Sequence, residues 1–251
     1  MPADGASQRQ PVVPPPALTL VRAAPLLTVL GLAGLAPLWG VLDMDWSVLA
    51  VVISSVLQTA AAGFLAWAHA RNATGPTTRP KDDVLVKEFF KTYVTIIVAA
   101  TLIASMVFGG RLLRPGGATQ ERVYDAFSTW QYWAVVAVLV GAEVLVFLLD
   151  RWRGVEQDLP PETFVAEPLK RLIFMQLGVF VLGLVVYWRG SSRTGLIILV
   201  LVATAAVVAL AATARLREAR IRAALEAGAE LKQARPAKTR PRAGRKRARR
   251  R

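Results

Sequence analysis

The sequence predicts an all-α fold: a polytopic membrane protein, a bundle of six transmembrane helices with cytoplasmic N- and C-termini. Three observations carry this. The 251 residues are 54% hydrophobic with a mean hydropathy of +0.42, well above ordinary globular usage. The apolar residues come in blocks rather than in the alternation of a soluble fold. Each block has, or approaches, the ~20 residues that carry a helix across a ~30 Å hydrocarbon layer.

The elements follow in order. Residues 1–22 read as a disordered cytoplasmic arm, because Pro2, Pro11, Pro14, Pro15 and Pro16 oppose any packed element. The first span covers about 23–42. Its full length and the weakly basic arm before it read as an uncleaved span rather than a signal peptide. Pro25 and Pro37, with Gly31 and Gly34 between them, make it the span expected to kink, a device that transporters use at binding sites. The second span covers about 47–69 and the third about 92–110. Between them, Gly75-Pro76 and Arg79-Pro80 punctuate the loop, and 81–88 reads as a short helix leading into span three. The loop 111–130 turns at Pro115-Gly116-Gly117, then shows Val123, Phe127 and Trp130 at the spacing of a surface helix.

Span four covers about 131–149, and span five about 172–188, short unless Leu169 and its neighbours extend it. The loop between them is broken by Pro160-Pro161 and Pro168. Span six covers about 195–213. Strong helix formers continue it as a cytoplasmic helix over 214–233, with Glu218 and Arg222 at i,i+4. Pro236, Pro241 and Gly244 then end the helix, and 234–251 reads as a disordered polybasic tail.

Orientation rests on charge. With both termini inside, the inner segments before residue 214 hold eleven Lys and Arg and the outer segments five, and the stretch after Thr213 adds fifteen. This is the positive-inside pattern of a plasma-membrane protein. Trp39, Trp46, Trp130, Tyr132, Trp133, Tyr187 and Trp188 fall at the expected outer interface, and Trp67 and Trp152 at the inner one. Small residues four apart, Ser55-Thr59-Gly63 in span two and Thr101-Ser105-Gly109 in span three, are expected to face the bundle interior beside the alanine-rich span six.

Several chemistries are excluded. The absence of cysteine removes disulfides, thiolate metal sites and cysteine nucleophiles, and the single histidine, His69, removes multi-histidine metal sites. No phosphate loop or dinucleotide fingerprint is present, and no cofactor is expected. His69 reads as a solvated interfacial residue, too near the surface to act as base for Ser54, Ser55 or Ser105. The sequon Asn72-Ala73-Thr74 falls on the cytoplasmic side and is irrelevant there. Arginine on an alanine-rich background fits a high-GC bacterial genome.

One carboxylate, Glu143, lies deep in an apolar run, roughly 10 Å along the helix from Asp150. A charge at such depth costs at least ~2.5–3.5 kcal/mol unless paired or protonated, so intramembrane acids are suspects for function. Arg22 is the expected partner, and Gln58 and Gln176 are candidates for the same polar cluster. In the tail, Arg245, Lys246, Arg247, Arg249, Arg250 and Arg251 form a cluster expected to attract anionic lipid headgroups. Nucleic acid is disfavoured, because no aromatic residue is interleaved to stack on bases.

Pro37-Leu38-Trp39-Gly40-Val41-Leu42, followed by a second span, and the entry Pro168-Leu169-Lys170-Arg171-Leu172 to span five resemble an uncharacterised family of multi-spanning prokaryotic membrane proteins, a domain of unknown function. That family tends to carry an acid in span two, where this chain has Gln58. It has no established activity, so the resemblance implies the fold and no functional residue.

The leading expectation is a non-enzymatic membrane scaffold or accessory subunit, its basic tail engaging lipid or a membrane or cytoplasmic protein partner. The alternative is a small transporter or channel using Glu143 in a polar intramembrane path.

Overall fold

A computed structural model describes residues 16–74, 82–109 and 125–234. Among them, besides a bare helical turn at 125–128, stand eight helices: α1 (Pro16–Gly34), α2 (Pro37–Asp43), α3 (Val48–Asn72), α4 (Asp82–Phe108), α5 (Trp130–Trp152), α6 (Val155–Asp158), α7 (Pro161–Trp188) and α8 (Arg193–Ala234). Six spans, with α1 and α2 counted as one, are long and apolar enough to cross a membrane.

Local chemistry sets the boundaries. Ser47 caps α3 by accepting from the Ala50 amide at 3.3 Å, and Thr129 caps α5 by accepting from Tyr132 at 3.4 Å. Pro37 and Pro161 open α2 and α7, where the fixed φ of proline suits a helix start. The turn from α7 to α8 runs through Gly190 at φ +85°, a conformation suited to glycine.

The first span breaks rather than bends. Its helix stops at Gly34 and restarts at Pro37. Proline has no amide hydrogen to offer the Gly34 carbonyl, and the Leu38 amide turns to Leu35 O at 2.9 Å instead. The Thr204 hydroxyl of α8 reaches into the gap, its one hydrogen shared between Gly34 O at 2.7 Å and Val200 O of its own helix at 2.8 Å. Side chain and backbone fit closely here: a Cβ at Gly34 would stand 2.8 Å from Thr204 Cγ2.

α3 is the central helix. Its span is 61% buried against 11% for the span of α4, and α4, α5 and α7 pack around it while α8 packs on α1 and α7. Ser55, Thr59 and Gly63 all lie inside the bundle. A Cβ at Gly63 would overlap the Tyr93 ring at 2.0 Å, so glycine is what lets α3 and α4 approach. On α4 the buried residues include Ala104 and Phe108, one position off the Thr101-Ser105 stripe, which is half-buried.

Arg22 of α1 and Arg222 of α8 line one groove, so the two ends of the described chain leave by one face, here called the terminal face. Ala70, Val86, Val155 and Phe164 form a small core at that face. Trp46, Tyr132, Phe108 and Leu196 belong to the main core, which closes the opposite, far face.

Several expectations need correction. Helix α1 already begins at Pro16, so 16–22 are helical rather than disordered. Span five is a 28-residue helix that starts at Pro161 and carries Pro168 inside it; a helix surrounded by neighbours tolerates the missing backbone bond. The helix expected over 81–88 is present from Asp82 onward, and the refinement is that it forms the first turns of α4 itself. Trp46 and Tyr132, at the far-face ends of their spans, are buried between helices rather than exposed, their rings 5.1 Å apart, with Trp46 lying over Gly40. The expected arm 1–15, most of the surface helix between 111 and 130, and the polybasic tail lie outside the described residues.

Candidate functional site

Glu143 stands two helical turns inside α5 from its terminal-face end, on the side facing α3 and α7. It is 6% exposed, and both of its oxygens are engaged. Arg171 of α7 approaches it as a fork: Nη1 donates to Oε2 at 3.1 Å and Nη2 donates to Oε1. Gln58 of α3 donates to Oε1 at 3.2 Å. Three helices are thus tied at one buried carboxylate.

Gln176 belongs to a second, adjoining ladder rather than to Glu143 itself. Its Nε2 donates to Thr59 Oγ1 at 2.9 Å and to Ser55 O at 3.3 Å. Thr59 donates in turn to Ser55 O at 2.9 Å, and the Tyr93 hydroxyl of α4 donates to Thr59 O.

Arg22 is not the partner of Glu143. It lies exposed in the groove between α1 and α8, while Arg171 takes the carboxylate. The reason is the length of α7. With its start at Pro161, Arg171 sits about 15 Å along the helix, which is bundle depth, whereas a span opening at residue 172 puts it at the surface. The basic entry Lys170-Arg171 was the visible signal, and the true start of the helix was not.

Sequence reasoning also missed a second pair. The Arg215 guanidinium of α8 donates to Asp150 Oδ2 at the end of α5 and to Glu218 Oε2 at 3.0 Å. The other oxygen of Asp150, Oδ1, is buried with no hydrogen-bond partner among the described residues. His69 is likewise not solvated. It is buried between the rings of Phe147 and Phe164, with centroids at 4.3 and 5.3 Å. Ser54 and Ser55 lie about 20 Å away along the same helix, so no serine–histidine pair forms. Among the described residues no three His, Asp or Glu stand close enough to hold a metal ion.

These groups share a cavity. A space of about 150 Å³ opens near the terminal face, its polar wall formed by His69, Glu143, Asp150, Arg171, Arg215 and Glu218. It has room for several waters. A second space of about 20 Å³, the size of one water, lies beside the break in the first span, lined by Gly34, Pro37, Ser54, Ser55, Gln58 and Thr204 among others. The hydrogen bond from Gln58 to Glu143 joins the wall of the small space to the wall of the large one. Beyond the small space the tight apolar core of the far face closes the bundle.

Six apolar spans around a buried polar cluster define a multi-pass α-helical membrane protein. The chain belongs to DUF6498, a family of unknown function, whose model matches residues 20–224 and so takes in the site and every described span. No curated protein and no solved structure matches it.

Proposed function

We propose that the protein is a small, non-enzymatic transporter or channel, with both termini cytoplasmic and the larger cavity open to the cytoplasm. The observation that carries this reading is the pair of cavities meeting at Glu143 and Gln58, beside a first span broken at Gly34–Pro37. Broken helices free backbone and space at bilayer depth, where binding sites of transporters lie. An ionisable residue kept at that depth marks a pathway more often than it serves packing alone. The cavity suits a species no larger than a few waters, in the simplest case the proton. Passage requires the Glu143–Arg171 pair to open, Arg171 swinging toward Asp150 while Glu143 exchanges a proton with the small space.

A scaffold or accessory subunit is the second reading. The engagement of both Glu143 oxygens favours it, since a satisfied three-helix clasp needs no further role. In that reading the basic tail engages anionic lipid or a protein partner.

Proteoliposomes with an imposed potassium-diffusion potential and an internal pH dye separate the two. The transporter reading expects wild-type acidification well above that of empty vesicles, lost in Glu143→Gln, which keeps the hydrogen bond to Gln58 but carries no exchangeable charge. Wild-type flux equal to that of empty vesicles, with folding verified by unfolding temperature, overturns proton passage and leaves the scaffold.

A further inference from the structure

A separate groove of about 710 Å³ lies at the terminal face between the start of α1, the α5–α6 turn and the outer part of α8. Its charge is unusual. Arg22, Arg153, Arg215 and Arg222 line it against Asp150, Glu218 and Glu226. Arg215 is committed to Asp150 and Glu218, and Arg222 acts on Glu218 as well. The guanidinium groups of Arg22 and Arg153 are exposed and make no hydrogen bond or ion pair among the described residues. They come from different elements, and in this groove they face a common space.

We propose that this groove binds the headgroup of one anionic phospholipid, its phosphodiester held by Arg22 and Arg153. Four arginines against three carboxylates leave one positive charge. A phosphodiester carries one negative charge, neutralises the groove and offers oxygens to both forks. A zwitterionic headgroup brings a quaternary ammonium as well, which has no free carboxylate to meet except Glu226 at the outer edge. Depth agrees with a lipid rather than a solute in water. Trp152, 85% exposed, stands next to Arg153 where an amphipathic ring marks headgroup level. Ala23 and Leu26 form the apolar floor one turn deeper, and Val21 beside Arg22 faces outward for an acyl chain. Basic pockets between spans are established binding places for anionic headgroups. The site is distinct from the basic tail and independent of any flux through the bundle.

The test uses full-length protein in a mild detergent, titrated with phosphatidylglycerol, phosphatidylcholine or water-soluble glycerophosphodiester, with bound molecules counted by native mass spectrometry. Wild type is expected to retain one phosphatidylglycerol about tenfold or more tightly than phosphatidylcholine, and the glycerophosphodiester is expected not to compete. Arg22→Gln with Arg153→Gln loses that preference. Arg245→Gln with Lys246→Gln and Arg247→Gln, in the tail, keeps it. Unfolding temperature in phosphatidylcholine verifies the groove variant, and Arg22→Gln alone carries the comparison if the pair does not fold. An unchanged preference in the groove variants, its loss in the tail variant, or equal binding of the water-soluble diester overturns the assignment.

Discussion

At the scale of single residues, Glu143 and Arg171 neutralise each other inside the bundle. Glu143 stands out because a lone acid in an apolar run needs an explanation. Arg171 does not, because basic residues at the mouth of a span are ordinary, and only the extension of α7 back to Pro161 carries it inward. Removing one member of such a pair strands the other charge at a cost of ~3–5 kcal/mol, whereas replacing both by apolar groups of similar size is often neutral or better. Arg171→Met is therefore expected to destabilise the protein strongly, and Arg171→Met with Glu143→Met to recover most of the loss. Thermal unfolding in detergent measures the cycle. A double variant no better than the single one would mean that Arg171 is held by something other than Glu143. His69 teaches the same lesson from the other side. Its sequence position predicts a wet interfacial residue, but Phe147 and Phe164 close over it. Phe164 belongs to the part of α7 that a prediction starting at residue 172 leaves in a loop.

At the scale of elements, hydropathy blocks located all six spans, because a bilayer demands long apolar runs and long apolar runs are easy to read. Helix ends were harder. Proline read as a breaker at 168 sits inside α7, and proline read as a kink at 37 ends one helix and starts another. The difference lies in who satisfies the freed carbonyl, and that partner is distant in sequence. At the α1–α2 break it is Thr204, 170 positions away. Thr204→Val keeps the side-chain shape but leaves the buried Gly34 carbonyl without its donor, an expected loss of ~1–3 kcal/mol. Hydrogen exchange supplies the local readout: the amides of Leu35, Ala36, Leu38 and Trp39 should exchange faster in the variant while the centre of α3 stays protected. Unchanged exchange there would show that the break does not depend on α8. The alanine-rich sequence of α8 signals close packing, but nothing in it says that Thr204 reaches another helix while Thr213 bonds only back to Leu210 O of its own.

At the scale of the whole molecule, connectivity and contact agree on direction. α1 begins, α3 ends, α4 begins, α5 ends and α7 begins at the terminal face, and α8 leaves by it, so successive spans alternate. α8 has 42 residues and is about 63 Å long, roughly twice the ~30 Å hydrocarbon layer. Its outer half must therefore project from the terminal face, carrying Arg217, Glu218, Arg220 and Arg222 with it. Burying that stretch in lipid would cost several kcal/mol per charge, so the projection is fixed by physics whichever side the face occupies. Which side the face occupies is part of our proposal, supported by the sequence bias of Lys and Arg before residue 214, eleven in the segments assigned inside against five in those assigned outside. The chain has no cysteine, so single introduced cysteines report accessibility without background. Asp43→Cys and Thr194→Cys, both exposed at the far face, are expected to react with a membrane-impermeant maleimide in intact cells. Asn72→Cys and Gln157→Cys, exposed at the terminal face, should react only after permeabilisation. The reverse pattern would turn the larger cavity and the lipid groove to the outside, and the direction of any flux through Glu143 would have to be read from that side.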